Sequence, residues 1–212
     1  WRADTLLTKE PETIAWLDRT VNADSVLFDV GANIGLYALY AAHLFPGKVR
    51  VCCFEPEPLN TARLNLNIAR NNFSKQILAF PLGLGTSDGI GTFRISVLEA
   101  GRALHGDRMV AAGEEAHITG LALRSLDSLL SDSTILPKPT HLKIDVDGPE
   151  LDILNGAQTA LGDPTLKHLL VELETADVAD VETMLKPMGF EITEKGEPVD
   201  DMVNVIFEKS SS

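Results

Sequence analysis

Two carboxylates and a pair of glycines carry the first chemical signal. Val26-Leu27-Phe28-Asp29-Val30 is a short apolar run that ends around an acid and enters the turn Gly31-Ala32-Asn33-Ile34-Gly35. A second apolar run, Val49 to Phe54, leads into Glu55-Pro56. As neighbouring parallel strands, the two runs aim the turn and the second carboxylate at one nucleoside-sized crevice. Gly31 and Gly35 let the backbone turn sharply and approach a ligand with no Cβ in the way. Glu55 can accept hydrogen bonds from both ribose hydroxyls, as an acid one strand over does in dinucleotide sites. A dinucleotide needs Gly-x-Gly-x-x-Gly, so that its pyrophosphate lies on bare backbone at a helix N-terminus. Here Asn33 stands where the second glycine would be, and Asp29 would repel a pyrophosphate. An acid in that place suits a ligand with positive charge, such as the sulfonium and ammonium of S-adenosylmethionine. The candidate cofactor residues are therefore Asp29, Gly31, Ala32, Asn33, Gly35, Glu55 and Pro56, with Asp145 from further along the chain.

The second informative run is His141-Leu142-Lys143-Ile144-Asp145-Val146-Asp147. Apolar and charged residues alternate, whereas a central strand buried on both faces should be nearly all apolar. A structural Lys–Asp pair accounts for Lys143. It accounts less well for Asp145 and Asp147, which stand at the carboxyl end where open α/β sheets bind ligands. Asp145 is the candidate for the methionine portion of the donor or for the acceptor hydroxyl, with Asp147 second. Glu172, inside Leu169-Leu-Val-Glu-Leu173, is predicted to point into the cleft or to bond a neighbouring helix; Glu174 reads as a solvated end. Asp145, Asp147 and Glu172 could together offer oxygens to a hard divalent cation, a second reading beside their contact with the donor or acceptor. An acceptor that must lose a proton would benefit from a base; besides these carboxylates, His105 and His117 flank a long polar stretch from which a closing loop could deliver an imidazole. His43, on an apolar helix, reads as a satisfied core residue. There is no His-x-x-x-His metal spacing and no Gly-x-Ser-x-Gly nucleophile turn.

The elements that must position these groups alternate as strands and helices, the sequence form of a mostly parallel sheet covered on both faces. Predicted strands are 25–30, 48–54, 76–82, 141–146, 168–173, 191–194 and 203–208. Leu36 to Phe45 reads as a buried helix stopped by Pro46-Gly47. Leu59, Ala62, Leu66 and Ala69 recur at helical spacing and are predicted to form the apolar face of the next helix. One helix is expected from Glu150 to Leu161 and a last one around Val178, Val181 and Leu185. The two closing strands, joined through Lys195-Gly-Glu-Pro198, make a hairpin and an antiparallel last strand. Residues 1–24 read as an N-terminal helical cover. Residues 92–123 break the alternation as an inserted hairpin, whose tip from Glu99 to Gly120 is expected to be a lid. The whole, 1–212, reads as one domain.

Composition narrows the partners. The 212 residues, 44% hydrophobic, suffice for a substantial single core. Thirty-one acids against 18 bases give a net charge of −13, which argues against nucleic acid and against adsorption to anionic membranes. No apolar stretch is long enough to span a bilayer, and no secretory pattern opens the chain. Cys52 and Cys53 are adjacent in a strand run and so point to opposite faces; they read as buried small residues in a reducing compartment, which makes the cytoplasm the default location. Oligomeric state cannot be read from the sequence.

Taken in order, Asp29-Val-Gly-Ala-Asn-Ile-Gly-Leu-Tyr37, Phe54-Glu-Pro-Glu-Pro58, Leu126-Asp127 and Lys143-Ile-Asp-Val-Asp-Gly-Pro-Glu150 resemble the FkbM-type methyltransferases. The resemblance runs from about Lys9-Glu10-Pro11-Glu12-Thr13 to Glu174. It implies a class I, Rossmann-like methyltransferase fold, S-adenosylmethionine as donor, and methylation of hydroxyl oxygens on glycans or polyketides. Pro149 departs from the small or aliphatic residue usual in the family, and proline is tolerated in a first helical turn. Two other classes share part of the pattern. A nicotinamide oxidoreductase would keep the ribose acid but lacks the glycine spacing and a Tyr-Lys pair. A non-catalytic nucleoside-binding module would not need the acids Asp145, Asp147 and Glu172.

Overall fold

The computed structural model describes residues 10–95, 117–146 and 148–210. His105, Asp147 and most of the expected lid lie outside the described residues.

Seven strands form the main sheet. In chain order these strands are β1 (Val26–Val30), β2 (Arg50–Phe54), β3 (Ile77–Phe80), β7 (His141–Ile144), β8 (His168–Glu174), β9 (Phe190–Lys195) and β10 (Met202–Lys209). Their spatial order is β3-β2-β1-β7-β8-β10-β9. The first five run parallel, while β10 is antiparallel to both β8 and β9. The reversal of direction of build-out between β1 and β7 opens a crevice at their carboxyl ends, the position at which such sheets take ligands. Three further strands, β4 (Gly83–Leu84), β5 (Gly89–Ile95) and β6 (His117–Arg124), make a second, smaller sheet. β5 and β6 are antiparallel, and β4 adds to β6 in parallel.

Strand alternation divides the core into two layers. Val26, Phe28 and Val30 face one side, with Leu142, Ile144, Leu169 and Val171. That side is covered by α4 (Leu126–Asp132), α5 (Glu150–Asn155), α6 (Gln158–Gly162) and α7 (Val178–Leu185). Leu27, Val51, Cys53, Leu170 and Ile206 face the other side, under α1 (Pro11–Thr20), α2 (Leu36–Leu44) and α3 (Pro58–Arg70). Cys52 and Cys53 accordingly fall in different layers, both as buried thiols. No helix among the described residues is long and apolar enough to cross a membrane.

Three expectations are corrected. The buried face of α3 is Asn60, Leu64 and Ile68, while Leu59 and Leu66 are exposed, as are Ala62 and Ala69. Leu64 wins that face because it packs against the bare backbone of Gly35; two stripes of apolar residues competed, and only one could meet the glycine turn. The helix expected from Glu150 to Leu161 is two short helices, interrupted at Gly156. A Cβ at Gly156 would stand 2.1 Å from the Gly85 carbonyl oxygen, so close approach of another backbone explains both the glycine and the break. His43 is exposed rather than in the core.

Candidate functional site

The chain from β1 into α2 makes a left-handed turn that only small or polar residues tolerate. Gly31, Asn33 and Gly35 all have positive φ, at 78°, 52° and 87°. Asn33 stabilises its own conformation, since its Oδ1 accepts a hydrogen bond from the Ile34 amide at 2.9 Å. Gly31 lies against the chain that leaves β7: a Cβ there would sit 1.8 Å from the Asp145 carbonyl oxygen. The turn and the Asp145 segment are thereby locked together at the mouth of the crevice.

Glu55, one strand over, is buried. Its Oε2 accepts from the Asn33 amide at 2.7 Å and its Oε1 from the Glu57 amide at 2.9 Å. Burial pushes its pKa up to about 7, against the pull of those two amides. The Asn60 side chain also donates to it; each carboxylate oxygen has two lone-pair sites, so three donors still leave acceptor capacity at this carboxylate. Glu57 in turn caps α3, accepting from the Leu59 amide at 3.0 Å and from the Asn60 amide.

Asp29 occupies the centre of the second layer. It is 1% exposed, no side chain lies within hydrogen-bond distance of its oxygens, and the Ala38 backbone amide at the start of α2 offsets part of its charge. Strand register sets it beside Lys143, whose Nζ is 3.9 Å away. Burial raises the Asp29 pKa to about 6; Lys143 draws it down, while Asp145 and Glu10 push it up. Lys143 itself bonds Asp145 at 2.6 Å and lies 4.9 Å from the centre of the Tyr37 ring. Although burial disfavours its charge, Asp145, Asp29 and Glu10 hold the ammonium's pKa above the usual lysine range. The Tyr37 hydroxyl donates to Glu10 Oε2 at 2.6 Å, which brings the segment before α1 to the same spot. Asp145 is 29% exposed, so its carboxylate spans the buried ammonium and the crevice mouth. Continuing the β7–β8 register one residue past Ile144↔Val171 puts Asp145 beside Glu172, which is half-buried and pairs with Asn204.

Of the residues singled out from sequence, the structure therefore brings together Asp29, Gly31, Ala32, Asn33, Gly35, Glu55, Pro56, Asp145 and Glu172 around the carboxyl edge. His117 begins β6 in the smaller sheet and is exposed. Among the described residues, no group of three or more His, Cys, Asp or Glu side chains is arranged to hold a metal ion. Sequence reasoning missed Glu10 and Tyr37 as site components; a tyrosine six residues after the glycine turn's first member carried no local signal of a partner 27 positions away. Asp127 serves the fold instead, because its carboxylate accepts the Thr159 and Ala160 amides at 2.8 and 2.9 Å, at the start of α6.

The methyltransferase FkbM domain model matches residues 29–192. The hexuronic acid methyltransferase AglP of Haloferax volcanii is 31% identical over 180 residues, spanning 84% of this chain and 69% of that protein. The 31-O-demethyl-FK506 methyltransferase FkbM of Streptomyces tacrolimicus is 26% identical over 202 residues, spanning 82% of this chain and 75% of that protein. Among solved structures, methyltransferase FkbM from Methylobacillus flagellatus KT superposes with a TM-score of 0.63 at 20% identity, over 90% of this chain and 45% of that one. TrmK of M. capricolum, in complex with S-adenosyl-homocysteine, superposes with a TM-score of 0.56 at 8% identity, over 93% and 67%. At such identities the superpositions speak for the fold alone, and the chain spans less than half the length of the first of them.

Proposed function

The chain belongs to the FkbM methyltransferase family, and on that premise we propose that it takes S-adenosylmethionine as donor and methylates a hydroxyl oxygen on a sugar, glycan or other natural-product acceptor. The observation that carries the donor is the pair of buried carboxylates, Asp29 and Glu55, on either side of a positive-φ glycine turn at the ends of adjacent parallel strands. A carboxylate buried with only the Ala38 backbone amide and the Lys143 ammonium at 3.9 Å to offset its charge is costly. It supports a cationic ligand rather than a pyrophosphate.

The donor supplies a methyl group already activated on a sulfonium, so the protein has chiefly to hold two partners in line. Glu55, oriented by the Asn33 and Glu57 amides, accepts the ribose hydroxyls. Asp29 supplies negative charge beneath the turn, and Asp145 takes the ammonium of the methionine portion. Glu172, one strand further, removes the proton of the acceptor hydroxyl. AglP's hexuronic acid supports a carbohydrate among the acceptors. Titration calorimetry tests the reading: S-adenosylmethionine and S-adenosylhomocysteine should bind saturably and NADH should not. Binding of NADH with neither of the other two would overturn it.

A further inference from the structure

We propose that Lys143 is a positioning residue, a buried ammonium that fixes the Asp145 carboxylate in the orientation in which it meets the donor's ammonium group. The inference deepens the function proposed above and rests on its assignment of Asp145. Lys143 is 1% exposed, on a strand buried along its whole length, where Leu142 and Ile144 are apolar and His141 shares its face. Withdrawing an ammonium from water costs several kcal/mol, and a well-packed hydrophobic residue of similar volume often serves stability as well or better. A buried lysine is therefore a poor choice for stability alone.

Its surroundings point to a different role. The 2.6 Å bond to Asp145 is one contact; Asp29 at 3.9 Å, the Tyr37 ring at 4.9 Å and the more distant Glu10 charge surround the rest of the ammonium. Tyr37 is itself held by its hydroxyl on Glu10, and Asp29 by strand register. The ammonium thus sits in a fixed place, supplied by β1, α2 and the segment before α1. Of the carboxylates in the group, Asp145 is the one that is substantially exposed, at 29% against 1% for Asp29 and 7% for Glu10. It lies just past the end of β7, with its backbone amide on the Val30 carbonyl at 3.1 Å. A loop carboxylate at a solvent-facing mouth would sample several rotamers. A rigid ammonium selects one.

The test is a double-mutant cycle read by S-adenosylhomocysteine affinity, with thermal unfolding of each variant alongside. Lys143→Met should weaken binding about tenfold or more in the wild-type background. In an Asp145→Asn background the same change should alter affinity less than about twofold, because the carboxylate through which Lys143 acts is gone. An equal loss in both backgrounds, or no loss in either, overturns the proposal and leaves Lys143 as packing. If Lys143→Met does not fold alone, the double variant, in which both charges of the 2.6 Å pair are removed, is compared with Asp145→Asn. Equal affinities support the proposal, and a markedly weaker double variant overturns it. Failure of the wild-type chain to bind S-adenosylhomocysteine at all would instead sink the donor assignment, a separate outcome.

Discussion

Replacing Asp29 with Asn should make the ligand-free protein more stable at neutral and alkaline pH, even though it removes a charge from the site. Asp29 is 1% exposed, has Lys143 only at 3.9 Å, and has its pKa raised from 3.8 to about 6 by burial above all. A displacement of that size, at 1.36 kcal/mol per unit, corresponds to about 3 kcal/mol between the two protonation states. For a carboxyl raised in the folded state, the stabilising contribution is fully present below pH 3.8 and is lost as pH rises through 6. At pH 8 the wild-type chain therefore carries the full cost of an ionised Asp29, which Asn does not. The variant should gain about 3 kcal/mol at pH 8, roughly 6–12 °C in Tm for a domain of this size. At pH 5 the gain should shrink to about half. Differential scanning calorimetry on both proteins at the two pH values measures this, and the same variant should bind S-adenosylhomocysteine more weakly. A variant no more stable than wild type at pH 8, or a gap that does not narrow at pH 5, would refute the reasoning. Such a trade of stability for a ligand site is common where a buried group awaits a partner.

Glu55→Ala should weaken S-adenosylhomocysteine binding by about 2–3 kcal/mol, the range for losing a charged hydrogen bond; an unchanged calorimetric Kd removes Glu55 from the site. Gly31→Ala should destabilise by more than about 3 kcal/mol in urea unfolding, since its Cβ would meet the Asp145 carbonyl at 1.8 Å. Gly35→Ala should cost less, because the clash is with Leu64 Cδ1, the far end of a flexible side chain. Asp127→Ala should cost about 1–2 kcal/mol by uncovering the first amides of α6. Burial and the neighbouring His168 push His141 down to about 3, so its contribution is present above pH 6.5 and lost as pH falls. His141→Phe should flatten the acid side of the stability profile, as read by circular dichroism melts between about pH 5 and 8.

How much of this was legible in the sequence depends on the distance over which each feature is decided. The ends of β1 and β2, the glycine turn and the closing hairpin are local matters of apolar runs and turn residues, and they fell within a few residues of expectation. The sides of Cys52 and Cys53 followed from strand alternation alone. The face of α3 did not, because Leu59-Ala62-Leu66-Ala69 and Leu64-Ile68 both have the spacing of a helical stripe. The choice between them was made by Gly35, 29 positions before Leu64. Lys143 could be read as paired with an aspartate two residues on, but its place beside Asp29 is a matter of strand register across more than a hundred residues. Glu10 reached the site only through the docking of α1, which no periodicity reveals.

That docking also bears on the order in which the chain can acquire its final form. α1 is made early, yet it is fastened to the last strand described: Glu12 accepts from the Asn204 side chain at 2.8 Å, and Arg19 reaches Glu208 at 2.6 Å. β10 must in turn insert between β8 and β9 before it offers those groups. Synthesis proceeds from the N-terminal end at several residues per second, so these two ties wait until β10 has been made. The glycine turn and both buried carboxylates can assemble on β1 and β2 well before that. The bonds of Glu10 to Tyr37 and of Asp18 to Tyr40, and the edge contact of Trp16 with His141, need no late strand, so a chain halted before β10 would hold its N-terminal wall by α2 and β7 alone.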